Sequence, residues 1–136
     1  MNPHYAFIVE IDQSIAAATE TLRTALVREQ MGIVSEVDVQ ATLKNRLGLD
    51  SHPQRLLGIC SPGIAHALMA AEPDIGALLP CGASVAEAVA GRTRIALQDP
   101  LVIAAQSQNP QVHEACERAS AALRRVVDRL GQAVVA

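Results

Sequence analysis

The sequence predicts an α+β fold, an antiparallel or mixed sheet with helices on one face. Three observations carry that prediction. His4–Ile11 alternates, placing Tyr5, Phe7, Val9 and Ile11 on one strand face. Residues 109–131 repeat apolar side chains at helical spacing. Between them, short strand-like and helix-like runs interleave, and 85–97 reads as a hairpin.

The elements follow in order. Asp12 is placed to cap a helix to about Met31, with Ile15, Leu22 and Leu26 on one face and Gly32 as a left-handed stop. Ile33–Val37 reads as a second strand. Asp38 suits the N-cap of a helix through Leu47, closed by Gly48. After the polar loop 50–53, Arg55–Cys60 holds a third apolar run. Pro62 then opens a helix to about Ala71, stopped by Glu72-Pro73-Asp74. Residues 82–89 read as a strand, although its alanines are poor strand formers. Gly91 turns the chain into a strand over 93–97, and Asp99-Pro100 ends it. In the last helix Asn109 is the cap and Pro110 the first residue, and Gly131 follows the end. Val112, Cys116, Ala119, Leu123, Val126, Val127 and Leu130 form its apolar stripe, while Arg124, Arg125 and Arg129 read as a solvated face.

The chain has 136 residues, half of them hydrophobic, which suits a single domain over 1–136. The core is aliphatic: there is no Trp, one Tyr and one Phe. Base stacking needs aromatic rings, and a phosphate backbone attracts positive charge. With a net charge of −3, nucleic acid is not expected as a partner. No run approaches the ~20 apolar residues of a membrane helix. No basic lead precedes an apolar stretch, and three cysteines are too few for a secreted disulfide framework. A reducing cytoplasm and free thiols are expected.

Cys60-Ser61-Pro62-Gly63 places a cysteine where a strand ends and a helix begins. Helix N-termini favour the reactive thiolate. The plainer reading is a small buried residue in a tight turn. Pro80 and Gly82 fix the backbone around Cys81, and if the two strands are neighbours, Cys60 and Cys81 form a thiol pair suited to redox or sulfur-transfer chemistry. His66 could serve as a base for Cys60, or as a ligand beside both cysteines. The spacings match no standard zinc pattern, so an exposed helix histidine is the plainer reading and a metal centre the weakest option. Asp38 and Asp99 stand out by position, yet a helix cap and a turn explain them. Cys116 reads as core. The remaining histidines read as surface residues. No dinucleotide fingerprint, phosphate loop or nucleophile elbow is present.

Several of these stretches also follow one another in a known order: Gly32–Leu43 (GIVSEVDVQATL), Leu56–Pro62 (LLGICSP), Ala65–Leu68 (AHAL), Glu72–Cys81 (EPDIGALLPC) and Asp99-Pro100. Together, over about residues 5–100, they resemble the bacterial domain-of-unknown-function family 302. The resemblance implies a fold like that of the TATA-binding protein, strand–helix–four strands–helix, and a homodimer. It puts Cys60, Pro62, His66, Pro80, Cys81, Asp38 and Asp99 on family motif positions but supplies no reaction and no cofactor. Three positions depart from the pattern: Met31 stands where an acidic residue is common, Ile33 replaces an aromatic residue, and Ser61 replaces Asn.

Two functions are open at this point. One is a non-catalytic, homodimeric binding or interaction module. The other is a small-ligand or thiol-handling protein with a cleft at Cys60 and Cys81, with His66 and Asp38 or Asp99 nearby. An accessible, low-pKa cysteine would favour the second.

Overall fold

The computed structural model describes residues 4–133. Five strands, β1 (Ala6–Ile11), β2 (Gly32–Asp38), β3 (Gln54–Cys60), β4 (Cys81–Val89) and β5 (Arg92–Gln98), form one sheet in the order β1-β5-β4-β3-β2. Every neighbouring pair is antiparallel, which settles the sheet as antiparallel rather than mixed. The first two strands therefore lie on opposite edges. The helix between them, α1 (Ile15–Val27), has to cross the whole sheet. Its 13 residues span ~20 Å, which matches four strand spacings of ~4.8 Å.

The other helices are α2 (Val39–Leu47), α3 (Pro62–Ala71), α4 (Leu101–Ala104) and α5 (Pro110–Ala133), with a 3-10 turn at Pro73–Leu78. The strand–helix–four strands–helix frame is present as β1-α1-β2…β5-α5, with the shorter helices inserted.

One face of the sheet carries the main core. Leu57 and Ile59 of β3, Val85 of β4, and Ile95 and Leu97 of β5 pack against Leu22 and Leu26 of α1 and Leu123, Val126 and Leu130 of α5. Phe7, Val9 and Ile11 join them, as the period-two pattern predicts; Tyr5 lies outside the strand and is 65% exposed. The weak alanine-rich strand is held because Ala83 and Val85 fill this core from the sheet's centre. A second cluster forms at one end, where Leu68, Ile75 and Ile103 meet Val112 and Cys116.

Local expectations differ in three places. Ser14, not Asp12, caps α1, its Oγ accepting from the Ala17 N–H at 3.2 Å. The Thr93 hydroxyl donates to the Gln13 carbonyl at 2.7 Å, holding the turn after β1 and delaying the helix. At the other end, α1 stops at Val27, and the left-handed residue is Gln30 (φ 58°), so Gly32 is free to start β2. Finally, α5 runs through Gly131 to Ala133 rather than ending before the glycine. Asp38 does cap α2, accepting from the Ala41 N–H at 3.0 Å, and Gly48 closes it at φ 67°.

The arginines of α5 are also more than a solvated face. Arg125 donates twice to Glu29 Oε1, at 3.0 and 2.8 Å, and Arg129 donates to Oε2 at 2.6 Å. Glu29 follows α1, so this clamp joins the two long helices. Arg124 lies 5.1 Å from the centroid of the Phe7 ring, a cation–π contact between α5 and β1.

Candidate functional site

The β3–α3 junction and the start of β4 meet beside α5. Cys60 is the last residue of β3 and Cys81 the first of β4. Both line a cavity of about 40 Å³ whose other walls include Met31, Ile64, Leu68, Leu79, Ile103 and Leu123. The cavity is almost wholly apolar.

The two cysteines share this cavity but are not register partners. The register pairs Cys81 with Ile59, and Cys60 with Gly32. Successive strand residues point to opposite faces, so Cys60 stands one residue out of step with Cys81. Burial pushes the Cys81 thiol up to about 11, and the neighbouring thiols of Cys116 and then Cys60 push in the same direction. At neutral pH Cys81 is a protonated, weakly nucleophilic thiol.

Cys116, which the sequence places in the core, does not line the cavity but influences Cys81 from behind it. It is fully buried in α5, as a core residue should be, yet its sulfur lies close enough to Cys81 to oppose that thiol's ionisation. Burial raises its own pKa first; a backbone hydrogen bond at Ala104 opposes this, and the Asp99 carboxylate adds to it. Periodicity could place Cys116 on the inner stripe but not say which strand end that stripe meets.

The remaining candidates are dispersed. His66 is on α3, but it is exposed and does not line the cavity. Asp38 pairs in register with Arg55, five residues along β3 from Cys60, or ~17 Å at strand rise. Its carboxylate is occupied in capping α2. Asp99 is nearer, since Pro100 lines the cavity, but its Oδ1 accepts from the Leu101 N–H at 3.0 Å, closing the turn before α4. Its backbone N–H donates to the Tyr5 carbonyl at 2.8 Å. Among the described residues, no three His, Cys, Asp or Glu side chains are placed to hold a metal ion.

The backbone near the cavity is closely packed. A β-carbon on Gly58 would lie 2.6 Å from Pro80 Cγ and would also collide with Ser35 Oγ. The glycine and the proline therefore seat the β3 and β4 ends against each other. Ser61 precedes α3, but its side chain makes no capping hydrogen bond.

These features define a five-stranded antiparallel α+β protein with an apolar, thiol-lined cavity at one end of its sheet. The crystal structure of uncharacterized conserved protein DUF302 from Bacillus stearothermophilus has the same fold: the TM-score is 0.83 at 24% identity, covering 94% of this chain and 99% of that one. The family described as domain of unknown function DUF302 matches residues 7–130, and the chain belongs to it. That span reaches through α5 and so includes Cys116. No curated protein matches the sequence. Among the described residues, no helix is long and apolar enough to cross a membrane.

Proposed function

We propose that this chain is a non-catalytic binding or interaction module that works as a homodimer in the cytoplasm. The observation that carries this reading is the dispersal of the candidate reactive groups. Cys60 and Cys81 share a cavity, but among the described residues no histidine or carboxylate lines it, and Cys81 is held protonated by burial. General acid–base and nucleophilic catalysis need a nucleophile, a base and an orienting group in mutual contact. The departures from the family pattern point the same way. Met31 supplies an apolar wall where an acidic residue is common, and Ser61 offers a shorter polar group than Asn. Nucleic acid is a poor partner for a chain with net charge −3 and two aromatic residues.

A second reading is favoured by one feature, the cavity itself. Its apolar walls and its thiols suit a ligand of a few heavy atoms, held by packing and by contact with sulfur. In that reading the protein handles a small sulfur compound.

Alkylation of the native protein, followed by mass spectrometry for each cysteine across pH, separates the two. The module reading expects Cys81 and Cys116 to stay unmodified at neutral pH until the chain unfolds. Labelling of any cysteine faster than in the unfolded chain, with a midpoint well below the free-thiol value of about 8.5, would establish a thiol site instead.

A further inference from the structure

A second concavity adjoins the thiol cavity and differs from it in chemistry. It is an open cleft of about 620 Å³ where the end of α1, the start of α3 and the exposed side of α5 meet. Arg28, Glu29, Pro62, Ile64, Arg118 and Arg125 are among its walls. Three arginines thus line it beside one carboxylate. The chain as a whole has 14 acidic and 11 basic residues, so the cleft reverses the sign of the molecule.

That charge is not cancelled within the chain. Glu29 is already bonded by Arg125 at 2.8 Å and by Arg129 at 2.6 Å, two cations for one anion. Arg118 stands about two turns before Arg125 on the same face of α5, ~10 Å away along the helix. Among the described residues its one ionic partner is Glu114, at 3.8 Å; the side chains are 58% and 74% exposed, and such a pair is weak in water. Arg28 has no carboxylate partner among the described residues. Arg28 and Arg118 therefore keep their planar donor forks for an oxyanion, which a guanidinium matches two bonds at a time. Another wall of the cleft is apolar, made by Pro62 and by Ile64, which also lines the thiol cavity.

We infer that this cleft binds a small organic anion, its carboxylate or phosphate group held by Arg28 and Arg118 and its carbon skeleton laid on Pro62 and Ile64. The volume is that of a small-molecule site, which runs to ~300–1,000 Å³ and combines apolar walls with a few convergent polar groups. A bare inorganic ion would use the arginines and leave the apolar wall uncovered. The first turn of α3 borders the cleft without a capping side chain and favours an anion in the same sense, as a minor addition to the arginines. The inference rests on the binding-module reading above and names a ligand class for it. It uses none of the cysteines.

The test is isothermal titration calorimetry on the full chain with three probes: hexanoate, phenyl phosphate and inorganic phosphate. It compares the wild type with Arg28→Gln, Arg118→Gln and Arg46→Gln, the last removing the same charge on α2, outside the cleft. All three side chains are exposed, so circular dichroism should stay that of the wild type, and either cleft variant decides the matter if the other fails to fold. The wild type is expected to bind at least one of the two organic anions with a Kd below ~1 mM. Hexanoate alone assigns a carboxylate ligand, phenyl phosphate alone a phosphate ester, and both support the site. Arg28→Gln and Arg118→Gln are each expected to weaken that binding at least ~10-fold, as a charge-assisted pair is lost. Arg46→Gln is expected to change it less than ~2-fold, since a distant exposed charge is screened. No saturable binding of either organic anion by ~10 mM overturns the inference. So does equal weakening by all three variants, and so does inorganic phosphate binding as tightly as the organic anions. The binding-module reading falls separately, on the cysteine alkylation described above.

Discussion

Single residues decide how the sheet end is built. Gly58 has room for a hydrogen and nothing more, with Pro80 Cγ 2.6 Å from where a β-carbon would sit. Gly58→Ala is expected to cost ~1–3 kcal/mol in urea unfolding, the usual range for overpacking. Cys81 gives a pH signature. Its folded pKa, about 11, lies above the ordinary 9.0, so the thiol holds its proton more tightly when folded. The corresponding stability is complete below 9.0 and is lost as pH rises towards 11. Cys81→Ala is expected to flatten that alkaline limb of a stability–pH profile. At this scale the sequence was legible where local chemistry dominates: Asp38, Gly48, Pro62 and Asn109 all do what their types predict. It was misleading where a distant partner intervenes, as when Thr93 fixes Gln13 and moves the helix cap to Ser14.

At the scale of elements, the joint between α1 and α5 carries a charge clamp. Hydrogen bonds from Arg125, ahead of those from Arg129, hold the Glu29 carboxyl below its ordinary 4.5, against the opposing effect of burial. A depressed folded pKa contributes stability above 4.5 that is lost as pH falls through the lower folded value. Glu29→Gln is therefore expected to lower the melting temperature by a few degrees at neutral pH and to have a smaller effect in acid. Thermal unfolding at several pH values checks both. The partners are 96 and 100 residues apart along the chain, so no local pattern could announce them. The α5 stripe, by contrast, was legible almost residue for residue, because a 3.6-residue period is a property of one segment alone. The α2 helix was legible as a helix, from its caps, but its failure to bury anything was not, since burial depends on what lies opposite.

For the whole molecule, alternation and turns gave five strands, and the family motifs gave their frame. The order β1-β5-β4-β3-β2 came only with the structure, and that order explains why α1 must cross the sheet. It also separates the candidate residues. Cys60 and Cys81 come from strands that are neighbours in the sheet, whereas Asp38 follows β2 to the far end and His66 turns outward on α3. The row Val37, Leu56, Ser84, Ala96 and Ile8, on the sheet face away from the core, is likewise invisible until register is known, because its members lie far apart in sequence. The account's central claim is that this chain is a binding module rather than a thiol enzyme, because burial keeps Cys81 protonated and, among the described residues, no histidine or carboxylate lines its cavity. Alkylation of the native protein against pH, read for each cysteine by mass spectrometry, tests it most directly. The account predicts that Cys81 and Cys116 stay unmodified at neutral pH until the chain unfolds. Labelling of either one faster than in the unfolded chain, with a midpoint well below about 8.5, would contradict it.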